Sequence, residues 1–452
     1  MVELRKPAIR FALLGLFSAL LVPACGDPYP KFSFNPGYYL TASTASFSAT
    51  QGGADPQDQI VRLISPTHFR LTQSGWTATS DQPWLTVSPP SGTIVPGRRV
   101  PITLAVHLPA PQVEGWIGAT STVGAPAPRE DHDAAWTGSR MVLWGGEQNG
   151  TKLSTGGLYD PVLDQWTGAT SMVGAPSVRT LHTLVWTGSE VIVWGGSTGT
   201  QPSPGSTYYG DGYRYNPATD AWLGTISTAG APSPRSLHAA VWAGTWMIIW
   251  GGYDGAGLLN TGGIFDPATD TWIGSLSTVN APTPRLHHVA VWTGTRMIVW
   301  GGQDATGDVN DGKSYDPTTD QWTPISSVGA PTPRQAATAI WTGQEMVVWG
   351  GSVLSGTRNA VNSGARYSPA MDAWVGATPT TGAPTARQSH SAVWTGTRMV
   401  VSHGASPAAG FFDTGGIYQP PISGVGTYTA TVTVQPPAGP PLILPVTLTV
   451  AP

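Results

Sequence analysis

Charge is the scarcest property of this 452-residue chain: Asp, Glu, Lys and Arg together make 11% of it, less than half the usual share of about 25%. The net charge is −4, so the basic footprint that a nucleic-acid partner requires is absent. Cysteine occurs once, at Cys25, which excludes intrachain disulfides, Cys-rich zinc sites and cysteine-ligated clusters. No Walker loop, Ser-His-Asp signature or HExxH motif occurs. The N-terminal apolar run, Phe11 to Val22, is too short for a comfortable membrane span. Present in excess are Gly (57), Pro (42) and Trp (20). Gly and Pro are the two poorest helix formers, and a chain this rich in Trp is not disordered. Many short strands joined by tight turns fit that composition, in two or three domains.

The N-terminus carries Arg5, Lys6 and Arg10, then the apolar run, then Leu21-Val22-Pro23-Ala24-Cys25. This resembles a bacterial lipobox, in which small residues precede a cysteine that receives lipid. Pro23 departs from the usual small residue; the other reading is an ordinary signal peptide cut near Ala24. The resemblance implies a signal peptide over 1–24, lipidation at Cys25, a linker over 25–35 and a membrane-held envelope protein. Gly26 after the cysteine implies outer-membrane sorting.

The middle of the chain repeats. Gly145-Gly146, Gly195-Gly196, Gly251-Gly252, Gly301-Gly302 and Gly350-Gly351 recur at steps of 50, 56, 50 and 49, and a sixth copy reads His403-Gly404. Each follows a short apolar segment such as Met141 to Trp144. Sixteen residues before the first glycine of each pair stands an arginine: Arg129, Arg179, Arg235, Arg285, Arg334 and Arg387. Three residues after it comes His132, His182, His238, His288 or His390, with Ala337 in the fifth copy, and four further on is always Trp. Downstream lie an aromatic, a proline and Asp-x-Trp. A period near fifty with these features resembles the kelch repeat, in which each repeat is one four-stranded propeller blade. The resemblance implies an all-β chain with a six-bladed propeller over 113–419. Trp116-Ile-Gly-Ala copies Trp166-Thr-Gly-Ala, so residues 116–121 are expected to supply the outer strand of the last blade and close the ring.

Residues 36–112 differ in character. Gly75-Trp76 through Trp84-Leu85 to Ser91-Gly92-Thr93 resembles the core of BACON and related Ig-like bacterial modules. Such modules end with two further strands, and the only strand pair of that type lies after the repeats, at 426–434 and 442–450. One β-sandwich of 36–112 plus 420–452, with the propeller inserted, is the expectation. The alternative is a complete small domain before the ring and a separate strand pair after it.

The Arg and His ring reads in two ways. It is a cationic funnel for an acidic sugar or carboxylate, or it is scaffold, which anything present in every repeat favours. Departures from the repeat are better site candidates: His287, His403, Tyr208, Tyr209, Asp211, Glu147, Gln148, Tyr253, Asp254, Gln303 and Asp304. The Asp residues before each Trp are read as turn formers. Galactose oxidase, a relative with an Ig-like domain, needs a Cys–Tyr crosslink, which a sole cysteine at Cys25 cannot supply. A metal-free sialic-acid mutarotase is the other enzymatic relative, and no carboxylate pair is assigned to its acid–base role. No metal or cofactor is expected. The expectation is a monomeric, envelope-anchored recognition protein whose propeller face binds a glycan or a protein, with a carbohydrate-active enzyme and a structural envelope protein as alternatives.

Overall fold

A computed structural model describes residues 38–50, 55–65, 74–82, 84–106, 114–199, 205–421, 426–437 and 441–451. Cys25 and the expected signal peptide lie outside the described residues. The chain divides into two compact units, one drawn from residues up to 108 and from 427 onward, the other spanning 109–426.

In the larger unit the four-residue segment before each Gly pair is buried on both faces, as its unbroken apolar run requires. It is the second strand of an antiparallel four-stranded sheet. The first such sheet runs Asp133–Trp136, Met141–Trp144, Gly156–Asp160 and Gln165–Ala169. Five more follow, the sixth made of Ser391–Trp394, Met399–Ser402, Gly415–Gln419 and, from the other end of the unit, Gly115–Gly118. Neighbouring sheets pack face to face through Trp and branched side chains. Val142 and Trp144 meet Val191, Val193 and Tyr215, and the series returns to its start where Val393 and Val400 meet Met141 and Leu143. The second glycine of each pair is obligatory: Gly146 has φ +88°, and a Cβ there would lie 2.5 Å from the Glu130 carbonyl oxygen.

The outer turns are stapled by the Asp that precedes each outer Trp. Asp164, at φ +50°, accepts from Tyr159 Oη at 2.6 Å and from the Ser121 amide at 2.7 Å. Asp220, Asp320 and Asp372 repeat both bonds. The sixth sheet takes its outer strand from the other end of the unit, and there Glu114 fills the role, accepting from Tyr418 Oη at 2.5 Å.

The smaller unit contains a four-stranded sheet, ordered Tyr39–Leu40, Gln59–Ile64, Arg99–Val106, Leu85–Ser88, and a five-stranded sheet, ordered Ala45–Thr50, Leu442–Ala451, Gly426–Gln435, Ser74–Ser80, Ser91–Ile94. Ala45–Thr50 pairs in parallel with Leu442–Ala451, and Thr77–Ser80 pairs with residues 432–435. Phe47, Leu63, Trp76, Leu104, Val432 and Val446 share one core.

Candidate functional site

The loop entering each inner strand and the loop leaving each second strand meet on one face. Bridges join Glu130 to Glu147, Thr180 to Ser197, Ser236 to Tyr253, Leu286 to Gln303, Gln335 to Ser352 and Gln388 to Ala405. Inside that rim lies a closed cycle of main-chain hydrogen bonds. Asp131, Leu181, Leu237, His287, Ala336 and Ser389 all have φ between +50° and +61°. Each donates its N–H to the carbonyl of the corresponding residue one repeat back, at 2.9 to 3.2 Å, and Asp131 donates to Ser389 to complete the circuit. A second cycle runs from the second glycine of each repeat to the carbonyl of the next repeat's arginine, closing from Gly404 to Arg129.

The six arginines build the wall of this mouth. Each is at most 3% exposed. Arg129 donates from Nη1 to the carbonyls of Gly145 (2.9 Å) and Thr155 (2.7 Å) and from Nε to Ala127 O (3.0 Å). Arg235, Arg334 and Arg387 repeat the pattern. Arg179 and Arg285 keep the bonds to the Gly195 and Gly301 carbonyls and add ion pairs with Asp211 and Asp311. Arg179 also lies over the Tyr209 ring at 4.3 Å. Loss of hydration pulls Arg129, Arg235, Arg334 and Arg387 down to about 10. Their donors are spent on the loops they clamp together, so the guanidinium groups do not line an open cationic funnel.

The repeat histidines are wedged between sheets. His182, His238, His288 and His390 stand edge-on to Trp144, Trp194, Trp250 and Trp349. Burial, with the adjoining Arg179 and Arg285, drives His182 and His288 down to about 3. His403 occupies a glycine position at φ +57°, bonded to Ser402 Oγ (2.7 Å) and Pro126 O (3.2 Å), and burial drives it to about 4. It is fully enclosed and packs on Trp166 and His132 at the junction of the sixth and first sheets. His287 differs: it is a member of the inner cycle and partly exposed at the mouth.

Among the remaining candidates, Tyr208 and Tyr253 come together, with ring centroids 5.7 Å apart. Tyr253 and Leu258 pack on Leu181, Leu237 and Leu286, an apolar arc spanning three successive repeats. Asp254 and Asp304 cap their own turns, accepting from Gly257 N and Thr306 N, and Gln303 pairs with Leu286 through its backbone. Glu147 is buried in an ion pair with Lys152, while Gln148 pairs with Thr151 in the same short hairpin.

Three functional candidates escaped the reading of the sequence: Glu130, Asp131 and Asp133. Only the first repeat is acidic at all three positions; elsewhere the position of Glu130 holds Thr180, Ser236, Leu286, Gln335 or Gln388. The rule that departures from the repeat mark a site finds them at once when applied to this loop. Burial, reinforced by Glu147, raises Glu130 to about 7. Burial also raises Asp133 to about 7, against the two amides, Leu184 N and Ala134 N, that its carboxylate accepts at 2.7 and 2.8 Å. Asp131 is held well above the carboxylate range by burial and by Glu130. Among the described residues no group of three or more His, Cys, Asp or Glu is disposed to hold a metal ion.

Residues 181–404 match the family model described as KLHDC2/KLHL20/DRC7 Kelch-repeats domain. No curated protein matches the chain. The matched segment starts just before the second four-stranded sheet and ends after the second strand of the sixth; the first sheet repeats the same strand pattern outside it, and together the family match and the repeated sheets identify the larger unit as a kelch-type β-propeller.

Proposed function

We propose that this chain is an envelope-anchored recognition protein whose six-bladed propeller, inserted in an Ig-like sandwich of BACON type, receives a protein partner at the mouth described above. The lipid on Cys25 would hold it to the membrane, by the resemblance of 21–25 to a lipobox. One observation carries the binding reading: at the mouth the loop position after each repeat arginine changes character around the ring, from an acidic first repeat to an apolar Leu and Tyr arc in repeats two to four. Side chains that only maintain the ring have no reason to differ there from one repeat to the next, whereas a bound ligand imposes such differences. The kelch match supports the same reading, since propellers of this type generally serve protein interaction.

A second reading rests on Glu130, a partly buried carboxyl at the mouth raised to about 7. A group poised near neutrality suits general acid–base work on a sugar. One experiment separates the two. The chain lacking residues 1–25 is screened against a displayed peptide library and a glycan array, and anomer exchange of free sugars is followed by NMR. Enriched peptides whose binding is lost in Tyr253→Ala support the protein-partner reading. Accelerated anomer exchange lost in Glu130→Gln replaces it with the enzyme, and glycan binding without peptide binding replaces it with a lectin.

A further inference from the structure

The mouth is unbalanced in hydrogen-bonding capacity as well as charge. In the first repeat Glu130 stands on the rim, Asp131 in the inner cycle and Asp133 at the head of the inner strand. Of the cations beside them, Lys152 pairs with Glu147 and only partly offsets the rise of Glu130 and Asp131, and Arg129 is spent on main-chain carbonyls. A separate observation in the two preceding repeats has the same sense. Gln335 and Gln388 occupy the position of Glu130 in the fifth and sixth repeats, and the side-chain oxygen of each is buried without a donor. Gln335 is only 7% exposed. Gln388 directly precedes Ser389, whose side chain hydrogen-bonds Asp131. A buried acceptor left without a donor is costly, and native structures rarely retain one. The arc through repeats five, six and one therefore offers unpaired acceptors, with Arg358 of the fifth hairpin held by Asp308 and Ser352 Oγ, while the arc through repeats two to four carries the Leu and Tyr cluster.

Resting on the protein-partner reading above, we propose that the mouth takes a cationic segment of a partner, with a lysine ammonium or arginine guanidinium seated among Glu130, Asp131 and the amide oxygens of Gln335 and Gln388, and its apolar neighbours on the Leu and Tyr arc. A group carrying several N–H donors and a positive charge is what this arc is short of. A carboxylate-bearing segment would add a further anion beside acids that already repel one another.

The test uses the full chain in detergent and fluorescein-labelled hexalysine, with hexaglutamate as the opposite probe, read by fluorescence anisotropy. The repeat itself supplies variants that preserve the fold: Glu130→Gln installs what the fifth and sixth repeats carry, and Asp131→Ser what the sixth carries. Asp266→Asn removes one charge from an outer turn where the second repeat already has Asn216, and serves as the charge-matched control. Hexalysine should bind the wild type, and Glu130→Gln and Asp131→Ser should each weaken it by about tenfold while Asp266→Asn leaves it unchanged. Equal weakening by all three variants, or equal binding of hexaglutamate, overturns the proposal. If hexalysine fails while library peptides bind and are lost in Tyr253→Ala, the cationic occupant is wrong and the mouth stands. If neither binds, both fall.

Discussion

A hydroxyl at the head of one inner strand and a histidine in the following repeat behave as a matched pair. Thr183 meets His238 at 3.0 Å, Thr338 meets His390 at 2.8 Å and Ser391 meets His132 at 3.0 Å. Where the strand head is Val289, the next repeat has Ala337 and no imidazole. Asp133 and Ala239 depart from the pairing: His182 Nε2 turns to the Trp144 carbonyl at 3.2 Å, and His288 Nε2 finds no hydroxyl and only a marginal approach to the Trp250 carbonyl. Ala239→Thr should therefore stabilise the ring by about 1 kcal/mol, measured by denaturant unfolding. Arg334→Ala should act in the opposite sense, by about 3 kcal/mol, because it strands the carbonyls of Gly350 and Ser363. A melting point left unchanged by it would return that side chain to the list of ligand contacts.

Titration belongs to the same scale. An imidazole whose pKa falls on folding stabilises the fold above its unfolded value of about 6.5 and withdraws that support as pH drops toward its folded value. His132, His182, His238, His287, His288, His390 and His403 are all shifted this way. A carboxyl raised on folding does the reverse, losing support as pH climbs from about 4 toward its folded value. Glu130, Asp131 and Asp133 are of this kind. Seven groups outweigh three, so the melting point of the larger unit should fall on acidification from neutral pH toward 5. A rise would mean that the acids dominate.

At the scale of the element, the junction of the sixth sheet is the seam where the two ends of the unit meet. Glu114 accepts from Tyr418 and pairs with Arg366, which also pairs with Glu345. Glu114→Ala should loosen Gly115–Gly118 first, raising hydrogen exchange in Gly415–Gln419 before the inner strands respond. This strand was legible because its Trp116-Ile-Gly-Ala copies the outer strand of the first sheet. The second strands were legible because burial on both faces demands an unbroken apolar run. The inner cycle was not: Asp131, Leu181, Leu237, His287, Ala336 and Ser389 share no side-chain chemistry. Their common requirement is a left-handed backbone imposed by closure of the cycle, and closure leaves no composition to read. The acids of the first repeat were missed for a related reason, since their position varies freely in polarity from repeat to repeat.

For the whole molecule, the smaller unit depends on strands at the far end of the chain. Gly426–Gln435 and Leu442–Ala451 lie inside the five-stranded sheet, flanked by Ser74–Ser80 and Ala45–Thr50, and supply Val432, Val434, Leu444, Val446 and Leu448 to the core. Deleting residues 427–452 should abolish the unfolding transition of the smaller unit while the transition of the larger one persists. Survival of both transitions in calorimetry would show that the N-terminal strands fold without them.

The inner cycle also has an electrical consequence. Its six N–H groups all point the same way around one circle, so their peptide dipoles run head to tail and cancel across the diameter. A helix end presents a standing field to whatever approaches it; this circle presents none in its own plane. The potential at the mouth is then written by side chains alone, and because charge there is sparse, one carboxylate in the first repeat changes what the opening attracts.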